Sequence, residues 1–468
     1  MTTDSQHKFE VNSPYNEDHL HTFSYTSKQS AFDALEKAFD LYNNRKKWLD
    51  TSVRIQILEK FAALVNNKVE ELAKQAALEG GKPLKDSIIE INRAVNGVKV
   101  AIEEIGKLHG TEIPMGLTIS SAQRFAHTYR EPRGVVLAIS AFNHPFNLII
   151  HQVITAIAAG CPVLIKPALS TPMSCKSIVD LLSEAGLPDG WCQMLLCENT
   201  VTEQLVGDRR ISYLTFIGSA RVGWYLRSKL APGASCALEH GGAAPVIIDE
   251  TADLDGSVPL LTLGGFYHAG QVCVSVQRIY LHRTIAKQFC QKFVEATKTL
   301  KSGDPLDPDT DVGPLILKRE VDRVDLWVKE AVESGAEILC GGYKLSETTY
   351  APTVLLNPAD KARVSQEEIF GPVVVLYTYD ELDEAISRAN APDFFFQASI
   401  FTRNMETALY ASRELKGMAV MVNDHTAFRV DWMPFGGHRQ SGLGLGGIGH
   451  TMRDMTIERM VVFRSTAL

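Results

Sequence analysis

The residue best suited to act as a nucleophile in this sequence is Cys273, in the segment Ala-Gly-Gln-Val-Cys-Val-Ser-Val-Gln-Arg at residues 269–278. It follows a Gly-Gln turn and precedes an apolar run typical of a strand, so its thiol can be partly exposed and electrostatically activated. Most cysteines are instead small buried hydrophobic residues, and this segment alone favours that interpretation. Other residues must therefore decide whether Cys273 is catalytic.

Two polar residues could assist such a thiol. Asn143 lies in Phe142-Asn-His-Pro145, between a predicted strand and a predicted helix. Its side-chain amide could donate to an oxyanion, although a helix cap is the more common role. Glu239 precedes His-Gly-Gly at a predicted strand end. That carboxylate could be a general base, or only a solvated loop residue.

Three segments could bind a phosphate, and one of them is a poor candidate. Phe216-Ile-Gly-Ser219 follows a predicted strand and opens a predicted helix, so its backbone amides could face an anion. Lys166, at another strand end, could reach a phosphate or a ribose hydroxyl. The segment 442–447, Gly-Leu-Gly-Leu-Gly-Gly, matches the dinucleotide-binding fingerprint, but no apolar strand precedes it. We expect a flexible connector there.

The elements that must position these residues form two α/β units. From residue 135 onward, short apolar runs alternate with segments of helical periodicity, which predicts parallel, doubly wound sheets with a ligand crevice at the carboxyl ends of the strands. The predicted strands are 135–140, 163–166, 213–217, 246–248, 278–282, 373–379 and 418–423. The predicted helices are 145–159, 173–185, 222–230, 287–299, 319–334 and 381–390.

The two ends of the chain follow different patterns. Residues up to about 110 are predicted to be helical, with one helix over 53–78 and another over 86–107. Residues 118–129 alternate polar and aromatic side chains, which predicts a protruding arm. Residues 456–468 predict a strand that pairs with this arm in the same subunit or in another one.

The composition excludes several classes of function. With 468 residues the chain should hold two or three domains, and its net charge of -8 argues against nucleic-acid or anionic-membrane binding. No apolar run is long enough to span a membrane. The eight cysteines form no Cys-x-x-Cys pair, so we expect no metal site and reduced thiols in a cytoplasmic protein.

Taken together and in order, the motifs resemble a known family. The motifs are Asn143, Gly218-Ser219, Glu239-x-Gly-Gly242, Gly270-Gln-x-Cys273, Glu368-Ile-Phe-Gly-Pro372, and Pro434-Phe-Gly-Gly437 with Ser441-Gly442. This order, and the spacing from Glu239 to Cys273, resemble the NAD(P)-dependent aldehyde dehydrogenase superfamily over nearly the whole chain. Several motifs in order are more specific than any one alone.

The resemblance implies an α/β fold with a Rossmann-type cofactor domain, an α/β catalytic domain and a small β oligomerisation arm. The implied cofactor domain comprises residues 1–115 and 132–240, with 428–452 returning to it. The implied catalytic domain is 241–427, and the implied arm comprises 116–131 and 453–468. A homodimer or homotetramer would follow.

The resemblance also implies chemistry for particular residues. Cys273 would attack the aldehyde, Asn143 and the Cys273 backbone N–H would hold the oxyanion, and Glu239 would activate the water that hydrolyses the thioester. NAD or NADP would accept the hydride. The residues implied to bind the cofactor are Ser140, Lys166, Gly218, Ser219, Val222, Glu368 and Phe370.

Three positions depart from the family pattern. Leu169 stands where the family usually has an acid that binds the ribose diol, and loss of that charge favours NADP use. His240 replaces the usual apolar residue after the general base. Leu445-Gly-Gly447 replaces the usual Arg-Glu-Gly.

The substrate pocket is assigned by position. Phe428-Arg-Val-Asp431 resembles the branch that includes lactaldehyde, phosphonoacetaldehyde and semialdehyde dehydrogenases. We expect Arg429, His144 and His151 to form a polar or cationic pocket for a small hydroxylated or anionic aldehyde, with the two histidines on one helix face. Alternatively, Arg429 pairs with Asp431 or another acid. The remaining pocket residues expected are Tyr267, Val272 and Phe435, of which the first two carry no positive charge for an anion.

Three other functions stay open from the sequence. A CoA-acylating relative would lack the general base, and Glu239 is present. A non-catalytic relative would have lost the nucleophile, the base or the oxyanion asparagine, and all three remain. An unrelated thiol hydrolase would need a histidine beside Cys273 and no nicotinamide cofactor.

Overall fold

The computed structural model describes residues 7–468 and has the following elements. The strands are β1 (Lys8–Asn12), β2 (His19–Ser24), β3 (Glu112–Ile113), β4 (Arg124–Pro132), β5 (Val135–Ile139), β6 (Val163–Lys166), β7 (Cys192–Met194), β8 (Ile211–Ile217), β9 (Ser235–Glu239), β10 (Ala244–Ile248), β11 (Val276–His282), β12 (Glu337–Cys340), β13 (Thr353–Leu356), β14 (Val373–Tyr379), β15 (Phe394–Phe395), β16 (Gln397–Phe401), β17 (Ala419–Val422), β18 (His438–Arg439), β19 (Gly442–Leu443) and β20 (Thr456–Arg464). The helices are α1 (Lys28–Asn43), α2 (Thr51–Asn66), α3 (Val69–Gly80), α4 (Leu84–Ile105), α5 (Asn147–Ile149), α6 (Thr155–Ala159), α7 (Pro172–Glu184), α8 (Asn199–Val206), α9 (Ala220–Lys229), α10 (Leu254–Phe266), α11 (Arg283–Lys298), α12 (Lys318–Glu333), α13 (Arg363–Gln366), α14 (Leu382–Ala389), α15 (Met405–Glu414) and α16 (Ile448–Asp454).

The first large sheet has the strand order β19-β9-β8-β5-β6-β7. Its central strand β5 reads Val-Val-Leu-Ala-Ile and is buried throughout, as expected for a parallel strand with helices on both faces. Strands β5, β6, β8 and β9 run parallel, so their carboxyl ends share one edge. The doubly wound architecture predicted from the alternating pattern is therefore present, and its helices pack into one apolar cluster on each face.

The second large sheet has the order β12-β13-β14-β11-β10-β16-β17, in which β12 is antiparallel to its neighbour and the other pairs are parallel. Strand β16, with the sequence Gln-Ala-Ser-Ile-Phe, was not predicted, because its two polar residues interrupt the apolar run. Both polar side chains are buried, which tertiary packing permits and local sequence does not reveal.

The N-terminal region corrects two expectations. Residues 8–24 form the hairpin β1–β2 instead of a helix. The single helix expected over 53–78 is two helices, α2 and α3, interrupted at Asn67 and Lys68. Asparagine there competes with helical hydrogen bonding through its short polar side chain, so the periodicity continues across a break in the backbone.

The segment 442–447 is also different from the expected flexible connector. Gly442 and Leu443 form β19, which pairs antiparallel with Glu239 and Leu238 at the end of β9. A Cβ at Gly442 would lie 2.2 Å from the Leu238 carbonyl oxygen, so only glycine allows this close pairing. The glycines therefore hold the strand that carries Glu239.

A third, smaller sheet has the order β20-β4-β3. Strand β20 pairs antiparallel with β4 of the same chain along the whole of both strands, from Thr456 opposite Pro132 to Arg464 opposite Arg124. Within residues 7–468, no helix is long and apolar enough to cross a membrane.

Candidate active site

One cavity of about 1110 Å³ lies at the carboxyl ends of β5, β6, β8 and β9 and reaches across to the second large sheet. Nearly all residues predicted for the site line it. These are Ser140, Asn143, His144, Lys166, Gly218, Ser219, Val222, Glu239, Tyr267, Val272, Cys273, Glu368, Phe370, Arg429 and Phe435. The crevice expected at the strand ends is thus the cavity that brings these residues together.

Cys273 follows a tight turn of unusual backbone conformation. His268, Ala269 and Gly270 have φ values of 48°, 56° and 70°, which place three successive residues in the left-handed region. A Cβ at Gly270 would lie 2.2 Å from the Gly371 carbonyl oxygen, so the turn requires glycine. The turn delivers Cys273 into the cavity at the start of β11, with its Sγ 4.0 Å from Glu239 Oε1.

The two charged groups near Cys273 have opposite effects on the pKa of its thiol. Burial raises the pKa of the Cys273 thiol well above its usual value, the Glu239 carboxylate raises it further, and the Arg429 guanidinium lowers it. Burial also raises the pKa of Glu239, and Arg429 opposes that shift. A carboxyl with a raised pKa is suited to accept a proton near neutral pH. Arg429 is the cation that favours the ionised form of both groups.

Asn143 is held so that its side chain has one free N–H. Its Nδ2 donates to the Gln271 carbonyl at 2.9 Å. The Gln271 side chain is itself fixed, because its Oε1 accepts from the Ile316 amide at 3.0 Å. One N–H of the buried Asn143 amide is therefore committed, and the other is available to an oxygen atom near Cys273.

The part of the cavity lined by Ser140, Lys166, Gly218 and Glu368 is called the wide end below. It has polar atoms that lack partners among the described residues. The Ser140 Oγ and the Glu368 Oε1 are buried without a hydrogen bond. Burial raises the pKa of Glu368 to about 8. A Cβ at Gly241 would lie 1.5 Å from Glu368 Oε1, so only glycine leaves room for this carboxyl. Orphaned groups of this kind fit a ligand rich in hydroxyls.

The same end also offers an anion site. Helix α9 begins directly after Gly218 and Ser219, with its N-terminus at the cavity. Lys166, at the end of β6, is buried to 8% exposure and lines the same space. A helix N-terminus and a lysine together fit a phosphate-bearing ligand.

The part of the cavity lined by Arg93, Arg429 and Phe435, called the narrow end below, carries two arginines. The Arg429 guanidinium lies 3.5 Å from the centre of the Phe435 ring, and its Nε is buried without a hydrogen bond. Arg93, from α4, lines the same cavity and binds Asp431 through Nη2 at 2.8 Å and Nε at 3.2 Å. Arg93 was not predicted, because a lone arginine on an amphipathic helix is usually solvated and its position depends on tertiary packing.

His151 does not line the main cavity but a smaller one that it shares with Glu239, Arg429 and Phe435, so its place in the substrate pocket stays a prediction. It is buried, and its Nε2 donates to the Asp431 carboxylate at 2.8 Å. The expectation of one shared helix face fails because His144 precedes α5 and residues 150–154 form a π turn, so a spacing of seven does not return to the same face.

His151 acts on the pocket indirectly. Burial lowers the pKa of His151 to about 4, so its ring is neutral and its Nδ1 can accept the Arg429 Nη2 contact at 3.5 Å. Asp431 is occupied by Arg93, His151 and Asn147. The alternative in which Arg429 pairs with Asp431 is therefore not what the structure shows.

Two of the unusual positions now have a physical explanation. His240 Nδ1 donates to the Gln440 carbonyl at 2.8 Å, and its ring fills the space beside Gly223, where a Cβ would lie 2.0 Å from Nε2. His240 thus joins β9 to the turn before β19. Leu169 packs on the apolar cluster of the β1–β2 hairpin, which explains why an apolar residue is stable there.

Comparison with known proteins agrees with this geometry. A model described as the aldehyde dehydrogenase family matches residues 1–461. The chain belongs to the aldehyde dehydrogenase family. The superfamily recognised from the motifs, the α/β fold class and the class of aldehyde-oxidising oxidoreductase are thereby confirmed.

Three relatives of this dehydrogenase are informative. A 3-sulfolactaldehyde dehydrogenase of Priestia aryabhattai is 41% identical over 434 residues, 92% of this chain and 88% of that protein. Aldehyde dehydrogenase 21 from Physcomitrella patens, solved with the reaction product succinate, has a TM-score of 0.95 and 33% identity, covering 99% of this chain and 96% of that one. Glyceraldehyde-3-phosphate dehydrogenase GapN from Methanocaldococcus jannaschii, solved with NADP, has a TM-score of 0.93 and 32% identity, covering 98% and 99%.

Proposed function

We propose that this dehydrogenase oxidises a small anionic aldehyde, with or without a hydroxyl group, to the carboxylic acid. The observation that carries the proposal is Arg429, a cavity-lining guanidinium with no carboxylate within salt-bridge distance in residues 7–468. Glu239 and Asp431 favour the charge of this buried guanidinium from beyond salt-bridge distance, and an anionic ligand in direct contact would compensate its desolvation. Arg93 lines the same cavity, and its guanidinium is already paired with the Asp431 carboxylate.

The named relatives support this substrate class. One is a dehydrogenase of 3-sulfolactaldehyde, an aldehyde with a sulfonate and a hydroxyl group, and another was solved with the dicarboxylate succinate as product. Val272 and Tyr267 supply no positive charge for an anion. Arg429, from another segment of the chain, lines the same cavity and supplies one.

The residues around the thiol suit a two-stage reaction. The Cys273 thiolate adds to the aldehyde carbon, and the oxyanion accepts hydrogen bonds from Asn143 Nδ2 and the Cys273 amide. When bound, NAD(P)⁺ accepts the hydride that leaves this carbon. Glu239 then takes a proton from water, which attacks the resulting thioester and releases the acid.

The cofactor is NAD or NADP, and the wide end of the cavity would hold it. Lys166 and the α9 N-terminus, with Gly218, Ser219 and Val222, fit the pyrophosphate and adenosine end. Ser140, Glu368 and Phe370 fit the nicotinamide ribose end, since two of them present unpartnered polar atoms. Because Leu169 provides no carboxylate against a 2′-phosphate, we infer that NADP is accepted, as it is in the complex of the methanogen relative.

The small sheet β20-β4-β3 supports a homo-oligomer. Along β20, Met460, Val462 and Phe463 are 55%, 45% and 51% exposed, on both faces of the strand. Apolar side chains exposed on both faces of a protruding sheet are typical of a surface covered by another subunit. We therefore retain the homodimer or homotetramer, with the arm comprising 116–131 and 453–468. The domain limits 1–115, 132–240, 241–427 and 428–452 and a cytoplasmic location stay predictions.

One panel of substrates tests the proposal. Purified protein is given 3-sulfolactaldehyde, succinate semialdehyde, lactaldehyde or propanal with NAD⁺ or NADP⁺, and nicotinamide reduction is followed, with Cys273→Ala as the inactive control. In Arg429→Leu, kcat/KM for the two anionic aldehydes should fall about 100-fold more than kcat/KM for propanal. Arg429→Lys should recover part of the loss. An equal fall for charged and uncharged aldehydes would contradict an anionic substrate.

Replacement of the general base separates hydrolysis from CoA acylation. In Glu239→Gln we expect one equivalent of reduced nicotinamide per active site and then turnover slower by about 10²–10⁴-fold, because the thioester persists. Acyl-CoA formed at an undiminished rate in that variant would instead favour the CoA-acylating alternative.

A further inference from the structure

A buried ion pair next to the active site takes no part in the chemistry described above. Lys82 and Glu90 pair with side-chain exposures of 1% and 0%, and neither lines the main cavity. Lys82 precedes α4, and Glu90 lies two turns into that helix. Burying two charges is costly, and apolar residues of the same size often stabilise a fold equally well. The pair therefore calls for a reason beyond fold stability.

Glu90 binds the segment that carries Asn143. Its Oε1 accepts hydrogen bonds from the amides of Phe146 and Asn147, both at 2.9 Å. These amides open the helical stretch that begins with α5, so they have no carbonyl partner within it. A carboxylate at that point also interacts favourably with the helix dipole. Its other oxygen binds Lys82 Nζ.

Lys82 binds the same segment on the other side of Asn143. Its Nζ donates to the Asn143 carbonyl oxygen at 3.4 Å while it pairs with Glu90. The backbone of residues 143–147 is thus tied to α4 at the carbonyl of Asn143 and again three and four residues later. Only hydrogen-bonding groups can fix both a carbonyl and two amides, and an apolar pair could not do so.

We propose that Lys82 and Glu90 are positioning residues for the oxyanion site, holding the backbone of Asn143 so that its free Nδ2–H points at the aldehyde oxygen. The inference rests on the proposed role of Asn143 in oxidation. A displacement of about 1 Å in such a donor is enough to reduce catalysis by about 100-fold, because the hydrogen bond must meet the oxyanion.

The chain offers a matched control for the loss of a buried carboxylate. Glu79 is also fully buried, and it accepts the amides of Met173 and Ser174 at the start of α7, at 2.7 and 2.8 Å. It therefore caps a helix as Glu90 does, but α7 carries none of the residues assigned to catalysis. A loss specific to Glu90 separates positioning from general stability.

A cofactor-free reaction provides the test. An activated ester such as p-nitrophenyl acetate acylates a thiol through an oxyanion without any nicotinamide, so the burst of p-nitrophenol depends on oxyanion stabilisation and on the reactivity of the thiol, but not on the cofactor. Lys82→Met is compared in the native background and in Asn143→Ala, with Glu90→Gln as a milder second variant and Glu79→Gln as control. Melting temperature and the rate of Cys273 alkylation by iodoacetamide, which forms no oxyanion, are measured for each.

We expect Lys82→Met and Glu90→Gln to slow the burst about 10- to 100-fold in the native background, and less than about 3-fold when Asn143 is already Ala, since both act through that residue. Alkylation should change less than about 2-fold, and Glu79→Gln should lower the melting temperature but not the burst rate. An equal effect in both backgrounds, or an equal loss in Glu79→Gln, would overturn the inference. If the native protein oxidises no aldehyde, but the variants still slow the burst only when Asn143 is present, the proposed function is overturned and the positioning role of Lys82 and Glu90 is not.

Discussion

At the scale of single residues, the ionisation of both Cys273 and Glu239 is favoured by one cation, Arg429. Arg429 is held by the Phe435 ring and by the neutral His151, and it lowers the pKa of both Cys273 and Glu239 against the effect of burial. The same guanidinium is the proposed contact for the substrate anion. Specificity and reactivity are thus linked at one side chain, and they can be separated by using a substrate without charge.

The first prediction concerns the pH dependence of Arg429→Leu with propanal. Removing the cation raises the pKa of Cys273 and of Glu239, so the thiolate and the carboxylate form only at higher pH. The rising limb of kcat/KM should therefore move to higher pH, by about one unit. Profiles from pH 5.5 to 10 check this, with Arg429→Lys as the variant that keeps the limb in place. An unmoved limb would show that Arg429 does not act on these groups.

The second prediction concerns Glu368, whose pKa is raised to about 8 by burial. In the unfolded chain this carboxyl ionises near 4.5, so its contribution to stability is present below that pH and is lost as the pH rises through 8. Glu368→Gln cannot ionise and should melt a few degrees above the native protein at pH 9, with little difference at pH 5. Calorimetry across this range measures it.

The exposed neighbour Glu367 provides the control for that experiment. Glu367→Gln should have the same melting temperature as the native protein at both pH values. A gain in Glu368→Gln that is equal at pH 5 and pH 9 would mean that ionisation of Glu368 is not its cause.

At the scale of elements, the arm and the loops after strands have different tasks. The strand ends of the first sheet carry the candidate cofactor-binding and base residues, whereas α4 contributes Arg93 to the cavity wall and Glu90 to the support of residues 143–147. Strands β4 and β20 of the arm belong to a separate three-stranded sheet, and Phe125, Met460, Val462 and Phe463 on them are exposed. The stability of the arm should therefore depend on another subunit.

The third prediction tests this dependence with Met460→Glu. A charge placed on the exposed arm should be unfavourable in an apolar interface, so the variant should dissociate to smaller species. Size-exclusion chromatography with light scattering measures the mass. Leu409, on α15, is 60% exposed, and Leu409→Glu is the control that should keep the native mass. If Met460→Glu also keeps it, β20 does not form the subunit contact.

At the scale of the whole molecule, the cavity lies between the two large sheets. Lys166, Gly218 and Glu239 come from the first sheet, while Cys273 and Glu368 belong to segments of the second. A ligand that fills the wide end must contact both. Binding should therefore couple the stability of the two halves.

The fourth prediction follows from that coupling. Saturation with NADP⁺ at about 100 times its dissociation constant should stabilise the folded protein by about 2.7 kcal/mol, which corresponds to a rise in melting temperature of about 3 °C. Scanning calorimetry of the protein with and without NADP⁺ measures the shift. Gly241→Ala should reduce the rise, because its Cβ displaces the Glu368 carboxyl. A melting temperature that responds neither to NADP⁺ nor to NAD⁺, measured in the same way, would contradict a site shared by both sheets.

The sequence by itself determined the family and the class of reaction, and it predicts the reactive residues and the strand ends near them. Cys273, Glu239 and Asn143 were found through motifs in a fixed order, and the buried parallel strands through apolar runs such as Val-Val-Leu-Ala-Ile. The apolar runs and the glycines are local signals, because a fully buried strand needs apolar residues throughout and a close backbone approach needs glycine. The class of reaction was read from the family resemblance that the motifs carry when taken in order, because each motif alone left it open.

Only the tertiary structure decided which distant side chains support that chemistry. Arg93 and Glu90 lie on an ordinary amphipathic helix, and their contacts with Asp431 and with the amides of Phe146 and Asn147 depend on how α4 packs. The π turn at 150–154 put His151 against Asp431 and into a smaller cavity than the one that His144 lines. Contacts across long separations in sequence have no local signal, since the same residue types on a solvated helix give the same pattern.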